Sequence, residues 1–312
     1  LKGDKRIHYE DRSSSSYRVY IKRGNVFDGM KKFSIQKPRV RNYLNEWIFH
    51  ELLGEGNLIK VNYDFYNFYL NGKFLGYYAL EESFGKTILE RNKRRNGPIF
   101  STFEEFNITS GKNKFEVYNK KYWEAEENIK IVKSAIQKLN NFLEGKEKLE
   151  DVFDLKKWAW FFAVTDLTYT YHGVALKSVK FYYNPINGKF EPIGSDGHKL
   201  VPNYSKYIVK KRPTLDSTNF SKAKDKVSNK EKKSKKFFLS IEKDFFFQNG
   251  QINYNFYTEY VKAIQKITSK KFLDNFFKFR KKEIKKINSG IYSDSYIYDY
   301  NSMRRSGIGI YY

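Results

Sequence analysis

Hydrophobic and polar residues alternate along the N-terminal part of the chain in a pattern that predicts β-strands. Residues 17–22 and 32–36 alternate in this way and are rich in β-branched or aromatic side chains. Two longer runs, 58–70 and 73–80, are separated by an Asn-Gly pair at 71–72, which is preferred in tight hairpin turns. The pattern therefore predicts antiparallel strands that include a short hairpin.

Apolar residues three and four positions apart predict a series of helices, most of them in the C-terminal part of the chain. Gly54 is expected to end the first helix, because glycine favours the left-handed conformation that terminates helices. The second helix has the most regular apolar stripe, which predicts a core-facing helix and not a ligand site. The predicted helices cover residues 39–53, 129–143, 155–167, 256–267 and 272–287.

Strands and helices are segregated along the chain, and this segregation indicates an α+β fold with two lobes. A strand-rich N-lobe is predicted over residues 1–82 and a helix-rich C-lobe over residues 83–288. Within the second lobe, residues 206–236 are polar and basic, which is typical of a solvated loop. Residues 289–312 are rich in Tyr, Ser and Gly and are expected to form a poorly ordered tail.

Two aspartates flank a second predicted hairpin in the centre of the chain. Asp166 ends a helical run, strands at 179–183 and 190–193 follow, and Asp196 comes next in a Ser-Asp-Gly turn. Kinase-type phosphoryl transfer needs one aspartate to orient the attacking hydroxyl and another to hold magnesium. Each aspartate alone also fits an ordinary role, Asp166 as a helix-end residue and Asp196 as a turn residue.

Composition narrows the classes of function. The 312-residue chain is 40% hydrophobic and 19% aromatic, as expected of a folded protein, and its formal net charge is +24. That charge indicates an anionic partner, although a bias toward AT-rich codons, which include those of Lys, would also raise it. The absence of cysteine excludes disulfides and thiolate metal sites, and no apolar run is long enough to span a membrane. The chain begins at Leu1 without an initiator methionine, which indicates a fragment and leaves a secreted or cell-surface parent protein open.

Neither the histidines nor the glycines form a known binding motif. His172 lies in a predicted loop without a partner at ligand spacing and is expected to make structural hydrogen bonds. The remaining histidines, His8, His50 and His198, are not expected to form a metal cluster. A phosphate-binding Gly-x-x-x-x-Gly-Lys-Ser/Thr loop is absent, which argues against a P-loop NTPase.

Several separated segments share their residues and their order with one known protein family. They are GMKKFSIQKPR at 29–39 with RNY at 41–43 and EW at 46–47, LNG at 70–72 with GYYALEE at 76–82, and FYYNP at 181–185 with EPIGSDG at 191–197. In these segments the chain resembles the spore-coat protein H (CotH) kinase-like family, from residue 1 to about residue 198. The resemblance implies an atypical protein-kinase-like fold with ATP and Mg²⁺ or Mn²⁺ between two lobes. It also implies transfer of phosphate to Ser or Thr of a protein substrate.

The resemblance assigns roles to the two aspartates. Asp166 resembles the catalytic-loop aspartate and Asp196 resembles the metal-binding aspartate. Ser178 stands where relatives carry an asparagine that would hold a second metal ion, and a hydroxyl is a weaker metal ligand. Ser14 similarly stands where a lysine is expected. These departures make a weakened kinase, or a scaffold that keeps the fold without the chemistry, the alternative within the family.

The resemblance also implies a nucleotide-binding set in the first lobe. Glu46 resembles the helix carboxylate that anchors a nucleotide-binding lysine on a neighbouring strand. Lys31 fits the position of that lysine best, and Glu82 matches the acidic residue at the junction of the lobes. Less favoured candidates for the same cationic role are Lys22, Lys32 and Arg18.

A nucleic-acid-binding protein is the alternative from another class. Lysines interleaved with Tyr and Phe can contact phosphates while the aromatic rings stack on bases. The aromatic residues concentrate in predicted strands and core helices, however, and no zinc-finger, RRM or helix-turn-helix signature is present. The family resemblance instead implies a protein partner with Ser or Thr acceptors, and the basic segment 206–236 is expected to meet an acidic or phosphorylated partner.

Overall fold

The computed structural model describes residues 15–102, 115–174, 178–198, 245–248 and 251–295. These residues form two larger sheets and several helices, and the predicted α+β class is confirmed. The predicted basic loop at 206–236 lies outside the described residues. So does Ser14, which stands where the family resemblance implies a lysine. None of the described helices contains a stretch both long and apolar enough to cross a bilayer.

The first sheet has four antiparallel strands in the order β1-β2-β5-β4. Its β4–β5 hairpin turns at Asn71 and Gly72, which both have positive φ angles, 51° and 78°. Such angles characterise the turn type that Asn-Gly favours, and the predicted hairpin is confirmed. The strands are β1 (Tyr17–Tyr20), β2 (Lys32–Gln36), β4 (Tyr63–Leu70) and β5 (Lys73–Glu82), with the short strand β3 (Ile59–Lys60) between β2 and β4 in the chain.

The second sheet combines strands from both parts of the chain, in the order β3-β9-β8-β6-β7. Strand β3 pairs with β9 in parallel, and the other neighbours are antiparallel. Strands are therefore not confined to the N-terminal part, because four strands of this sheet come from the part predicted to be helix-rich. These four are β6 (Ile99–Thr102), β7 (Phe115–Val117), β8 (Lys180–Asn184) and β9 (Lys189–Gly194). A separate two-stranded ribbon contains β10 (Phe247–Gln248) and β11 (Gln251–Ile252).

One helix, α6 (Leu155–Thr168), forms the centre of the largest hydrophobic core. Its Trp158 is fully buried and donates a hydrogen bond from Nε1 to the carbonyl of Phe190 on β9, at 2.9 Å. Burying an aromatic side chain of this size stabilises the fold by about 1.5–3 kcal/mol. The other helices are α1 (Asn45–Glu55), α2 (Lys86–Arg91), α3 (Lys120–Trp123), α4 (Ile129–Leu143), α5 (Leu149–Val152), α7 (Tyr254–Thr268) and α8 (Lys270–Ser295).

Two helix boundaries differ from the predictions. The predicted helix at 39–53 is a 3₁₀ turn, Pro38–Arg41, followed by α1, which continues through Gly54. Asn42 and Tyr43 interrupt the helix because both adopt left-handed conformations. The expected end at Gly54 is therefore wrong.

The C-terminal helix α8 is longer than predicted. It continues to Ser295, so residues 289–295 are helical where the composition predicted a poorly ordered tail, and residues 296–312 lie outside the described part. Gly290 explains the close packing of this end, because a Cβ there would lie 2.4 Å from Cζ of Tyr77 on β5. The helix thus packs directly against the first sheet.

Candidate functional site

The segment that follows β9 lies against helix α1 and presents Asp196. Asp196 has a left-handed φ of 52°, and its carbonyl accepts a hydrogen bond from the His198 amide at 2.8 Å. The Gly197 amide donates to Oε1 of Glu46 at 3.0 Å. A Cβ on Gly197 would lie 2.3 Å from Cδ1 of Phe49, so glycine is needed for this approach. The Ser-Asp-Gly sequence therefore permits the sharp turn that holds Asp196 beside α1.

A 3₁₀ turn after α6, Tyr171–Val174, brings His172 to the same place. Nδ1 of His172 lies 4.0 Å from Oδ2 of Asp196, and the rings of His172 and His198 are 4.0 Å apart between centroids. One potential ligand atom from each of these three residues lies within 4.8 Å of the other two. The expectation that His172 has no partner at ligand distance is therefore wrong, because Asp196 and His198 lie beside it. Sequence spacing could not reveal the cluster, because its members come from two separate elements.

Arg41 is the cation at the centre of the site. Its Nη2 lies 2.6 Å from Oδ1 of Asp196, and its Nη1 donates to Nδ1 of His198 at 2.5 Å. Its Nε lies 3.4 Å from Oε2 of Glu46, and Nη2 lies 3.8 Å from Oε2 of Glu81. The residue is only 8% exposed. A guanidinium can serve several acceptors at once because it presents five donors in a fixed plane.

The charges of the site strongly perturb the pKa of its groups. Burial alone would raise the pKa of Asp196, but the positive charge of Arg41, with smaller contributions from His172, His198 and Lys180, lowers it well below the usual value. Burial would lower the pKa of Arg41, and the surrounding carboxylates outweigh this effect and raise it. Asp196 is therefore an anion, and Arg41 a cation, throughout the neutral pH range.

Glu46 is fully buried on α1 and faces Arg41 and not a strand lysine. Its other partners among the described residues are the Gly197 amide and His50, whose Nε2 lies 3.6 Å from Oε1. Glu46 thus joins the Arg41 turn to the segment that carries Asp196, and its cationic partner is an arginine and not the predicted lysine. The predicted cations Lys31, Lys22, Lys32 and Arg18 are exposed and lie outside the contacts of Glu46.

Glu82 is buried at the end of β5. Its Oε2 accepts a hydrogen bond from the Asn62 amide at 3.0 Å and lies 3.5 Å from Nε of Arg91. Burial raises the pKa of Glu82, and the hydrogen bond from Asn62 and the charge of Arg91 offset the effect only in part. Its Oε1 makes no hydrogen bond within the described part of the chain. The contacts of Glu82 thus hold the end of the first sheet together, apart from the cluster around Asp196.

Asp166 and Ser178 lie on either side of His172 in the sequence but make different contacts. Asp166 is near the end of α6, and its Oδ2 accepts a hydrogen bond from the Tyr260 hydroxyl of α7 at 2.5 Å. Ser178 is buried, and its hydroxyl lies 3.3 Å from Nδ1 of His172. Ser178 therefore adjoins the three-residue cluster, whereas Asp166 is not a member of it.

The donor atoms of the cluster are suited to a divalent cation. Imidazole nitrogens and a carboxylate oxygen are accepted by first-row transition ions, whereas Mg²⁺ prefers a shell of oxygen atoms. The set formed by His172, Asp196 and His198 therefore fits Mn²⁺ better than Mg²⁺. Arg41 competes for Oδ1 of Asp196 and Nδ1 of His198, while Oδ2 of Asp196 faces His172.

A comparison with protein families assigns the chain as a whole. The family described as CotH kinase protein matches residues 8–296. The chain belongs to the CotH kinase family. This membership confirms the resemblance found in the separated segments and extends it beyond residue 198, through α7 and α8. No curated protein matches the chain.

Membership of the CotH kinase family implies a kinase-type enzyme. The matched range, residues 8–296, includes Arg41, Glu46, His172, Asp196 and His198. The turn with Asp196 follows the β8–β9 hairpin, as the sequence analysis predicted. Sequence reasoning missed Arg41, His172 and His198 as members of the site. Arg41 lies within a segment that carries the family resemblance, which is the one signal that could have identified it.

Proposed function

We propose that this CotH family protein is an ATP-dependent kinase that transfers the γ-phosphate to Ser or Thr hydroxyls of a protein. The convergence of His172, Asp196 and His198 within 4.8 Å carries the proposal. A carboxylate with a strongly lowered pKa beside two imidazoles is a site suited to a divalent cation. When bound there, such a cation would neutralise charge on the phosphates of the nucleotide.

Arg41 is proposed to supply the cation that contacts the phosphates from the first-lobe side. Glu46 holds the Arg41 side chain in place. The family resemblance gives the position of this phosphate-binding cation to a strand lysine such as Lys31. An arginine binds phosphate oxygens through two parallel hydrogen bonds, which a lysine cannot do. The positive charge of Arg41 also keeps Asp196 ionised. Asp196 is then charged for binding the metal ion while Arg41 is charged for binding phosphate.

Asp166 is proposed to position the acceptor hydroxyl and to accept its proton late in the transfer. The hydrogen bond from the Tyr260 hydroxyl fixes one of its carboxylate oxygens, which limits rotation of the side chain. Ser178 is proposed to contribute an oxygen beside His172, in place of the expected asparagine. A single hydroxyl is a weaker ligand than an amide oxygen, so we expect lower metal affinity than an asparagine would give.

The proposed acceptor is an acidic or phosphorylated protein, because the net charge of the chain is +24. The aromatic residues of the second sheet do not favour nucleic acid as the partner. Phe100, Phe181, Tyr182 and Phe190 are all buried in the cores and are not exposed for stacking on bases. Retention on plain DNA with a steep dependence on salt would favour the nucleic-acid alternative instead.

Phosphate transfer from labelled ATP tests this function. Wild-type protein is incubated with Mn²⁺ or Mg²⁺, and label is measured on the protein itself and on added acidic, Ser-rich proteins. We expect labelling that requires a divalent cation, is stronger with Mn²⁺, and is abolished by Asp196→Asn. Asp151→Asn is the matched control, because Asp151 is an exposed aspartate on α5. Equal labelling by wild type and Asp196→Asn would contradict the proposal, and nucleotide binding without transfer would indicate a scaffold.

A further inference from the structure

The outward side of α8 concentrates positive charge. Residues 270–293 of this helix contain seven lysines and one arginine but only two acidic residues, Asp274 and Glu283. Arg280 turns inward to two glutamates of α1, and Lys270 pairs with Asp274. The six remaining lysines are all exposed, and they are Lys271, Lys278, Lys281, Lys282, Lys285 and Lys286.

The exposed lysines form a continuous row on one side of the helix. The opposite side is packed against the fold, since Phe276 and Ile287 are 3% and 2% exposed and Gly290 lies against Tyr77. Residues three, four and seven positions apart share a helix face, so the lysines follow one another along the outward side. The row from 271 to 286 extends over about 22 Å.

An aromatic side chain lies beside the lysines and points outward. Phe279 is 77% exposed, which is the highest value among the large hydrophobic side chains of the described residues. It lies one helical turn from Lys282 and two turns from Lys286, so it belongs to the same side of the helix. A single exposed apolar residue is common on protein surfaces. Here, however, the surface combines a row of cations with an exposed apolar ring.

We propose that the outward side of α8, made of the six exposed lysines and Phe279, binds the surface of a membrane that contains anionic lipids. The lysines contact the negatively charged headgroups, and Phe279 inserts at the boundary between headgroups and acyl chains. The helix lies along the membrane surface and does not cross it. This inference is independent of the proposed phosphate transfer, because it concerns another surface and needs no nucleotide.

The shape and chemistry of this surface favour a membrane over other anionic partners. Cations on the convex side of a helix meet a flat surface along the whole row, and the compact ammonium groups of lysine suit a diffuse layer of negative charge. Recognition of phosphates and bases in nucleic acid favours the planar fork of arginine, whereas Arg280 faces α1.

Two further partners fit the surface less well. An acidic chain neutralises the lysines without offering an apolar layer for Phe279, whereas a lipid surface offers both. A second copy of this protein is disfavoured, because two such rows of lysines repel each other.

The row of lysines can be tested against a matched set of charges elsewhere on the chain. The test variant removes three positive charges from the row and is Lys278→Gln/Lys282→Gln/Lys286→Gln. The control removes three exposed charges from α3 and α4 and is Lys121→Gln/Lys130→Gln/Lys133→Gln. Because all these side chains are exposed, the substitutions should leave the core intact.

Binding is measured by sedimentation with vesicles in the absence of nucleotide. The vesicles contain phosphatidylcholine alone or an equal mixture with phosphatidylserine. We expect wild type to bind the mixed vesicles only, and more weakly as salt screens the charges. The α8 variant should bind about a hundredfold more weakly, since each lysine near an anionic surface contributes about a factor of five. The control should remain within about threefold of wild type.

Fluorescence tests whether residue 279 enters the lipid. In Phe279→Trp, acyl chains that carry bromine should quench the new indole, whereas they should not quench that of Ile186→Trp. Ile186 is the matched control because it is 74% exposed in the β8–β9 turn. The natural tryptophans are buried, so their contribution to quenching should be small. Phe279→Ser should weaken binding about tenfold, and Ile186→Ser should bind as wild type does.

The outcomes distinguish the membrane from the other partners. Absence of binding to the mixed vesicles overturns the inference. Binding that persists in the α8 variant, or that falls equally in the control, assigns it to another basic part such as segment 206–236 and also overturns it. Tighter binding of wild type to double-stranded DNA than to the mixed vesicles, lost in the α8 variant, would identify nucleic acid as the partner instead. Displacement from vesicles by polyglutamate, with Phe279→Trp unquenched, would identify an acidic protein.

Discussion

The guanidinium of Arg41 lies 2.6 Å from Oδ1 of Asp196 and joins two segments that are distant in the sequence. Arg41 ends a 3₁₀ turn of the first part of the chain, and Asp196 follows the last strand of the second sheet. The same guanidinium faces Glu46 on α1. The geometry of the proposed metal site is therefore set by an ion pair between the two parts of the chain.

Replacement of Arg41 should destabilise the protein strongly. Arg41→Met keeps the approximate length of the side chain but leaves the buried Glu46 without its cation, and removing one partner of a buried ion pair costs about 3–5 kcal/mol. The free energy of unfolding by urea measures this loss. Arg41→Lys keeps the charge and should lose less, while Arg18→Met is an exposed control without effect. A loss below about 1 kcal/mol in Arg41→Met would show that the network is not a major source of stability.

Stability in acid should depend on Asp196. The pKa of Asp196 is lowered in the folded state, against about 3.9 in an unfolded chain, so ionisation stabilises the fold above about pH 4. That contribution is lost as the pH falls below this value toward the lower folded-state pKa. The melting temperature of Asp196→Asn should consequently fall less steeply than that of wild type between about pH 5 and pH 2. Parallel pH profiles for the two proteins would contradict the role of the carboxylate.

Asp166 should affect turnover and not nucleotide binding. Because a residue that acts mainly in the transition state changes kcat more than ground-state affinity, Asp166→Asn should lower transfer by orders of magnitude at unchanged ATP affinity. Tyr260→Phe removes the hydrogen bond to Asp166 but keeps the ring, and its effect on transfer should be smaller. The measurement is single-turnover transfer beside calorimetric ATP binding. Equal losses of binding and transfer in Asp166→Asn would indicate a structural role.

The contribution of the α8–α1 contact to stability should be measurable by replacing Arg280, which bonds two glutamates of α1. Nε of Arg280 donates to Oε2 of Glu51 at 2.9 Å, and its Nη2 donates to Oε1 of Glu55 at 2.7 Å. Burial alone would raise the pKa of Glu51, but Lys60 and Arg280 lower it on balance. Arg280→Met should therefore reduce the free energy of unfolding by about 1 kcal/mol, and less at high salt.

Lys285→Met is the matched control for this attachment, because Lys285 is an exposed cation on the same helix. It should leave the free energy of unfolding and its dependence on salt unchanged. If Arg280→Met and Lys285→Met behave alike, the loss reflects general charge on α8 and not the contacts to α1.

Local chemistry made some of the fold predictable. The hairpin at Asn71 follows from the preference of Asn-Gly for positive φ angles, and α4 has the predicted bounds because its apolar stripe is regular. The turn at Asp196 was likewise predicted from its flanking glycines and strands. In each case the residues that decide the structure are neighbours in the sequence.

The remainder depends on contacts between distant segments. Arg41 was not predicted as the partner of Glu46, because the contact joins a 3₁₀ turn to the following helix across the left-handed residues Asn42 and Tyr43, which the apolar pattern did not reveal. His172 and His198 meet only when the turn after α6 packs against the segment after β9. The end of α8 was predicted as a tail from its composition, whereas its contact with the first sheet supports a helix. Tertiary packing overrode local preference there.

The contact of Gly290 with Tyr77 has a consequence for where the packed fold ends. Through Arg280 and Gly290, α8 braces both the helix that carries Glu46 and strand β5. Removing residues 289–295 would expose the Tyr77 ring on β5, whereas the contacts of Arg280 with α1 would remain. The last turns of α8 are therefore part of the packed fold.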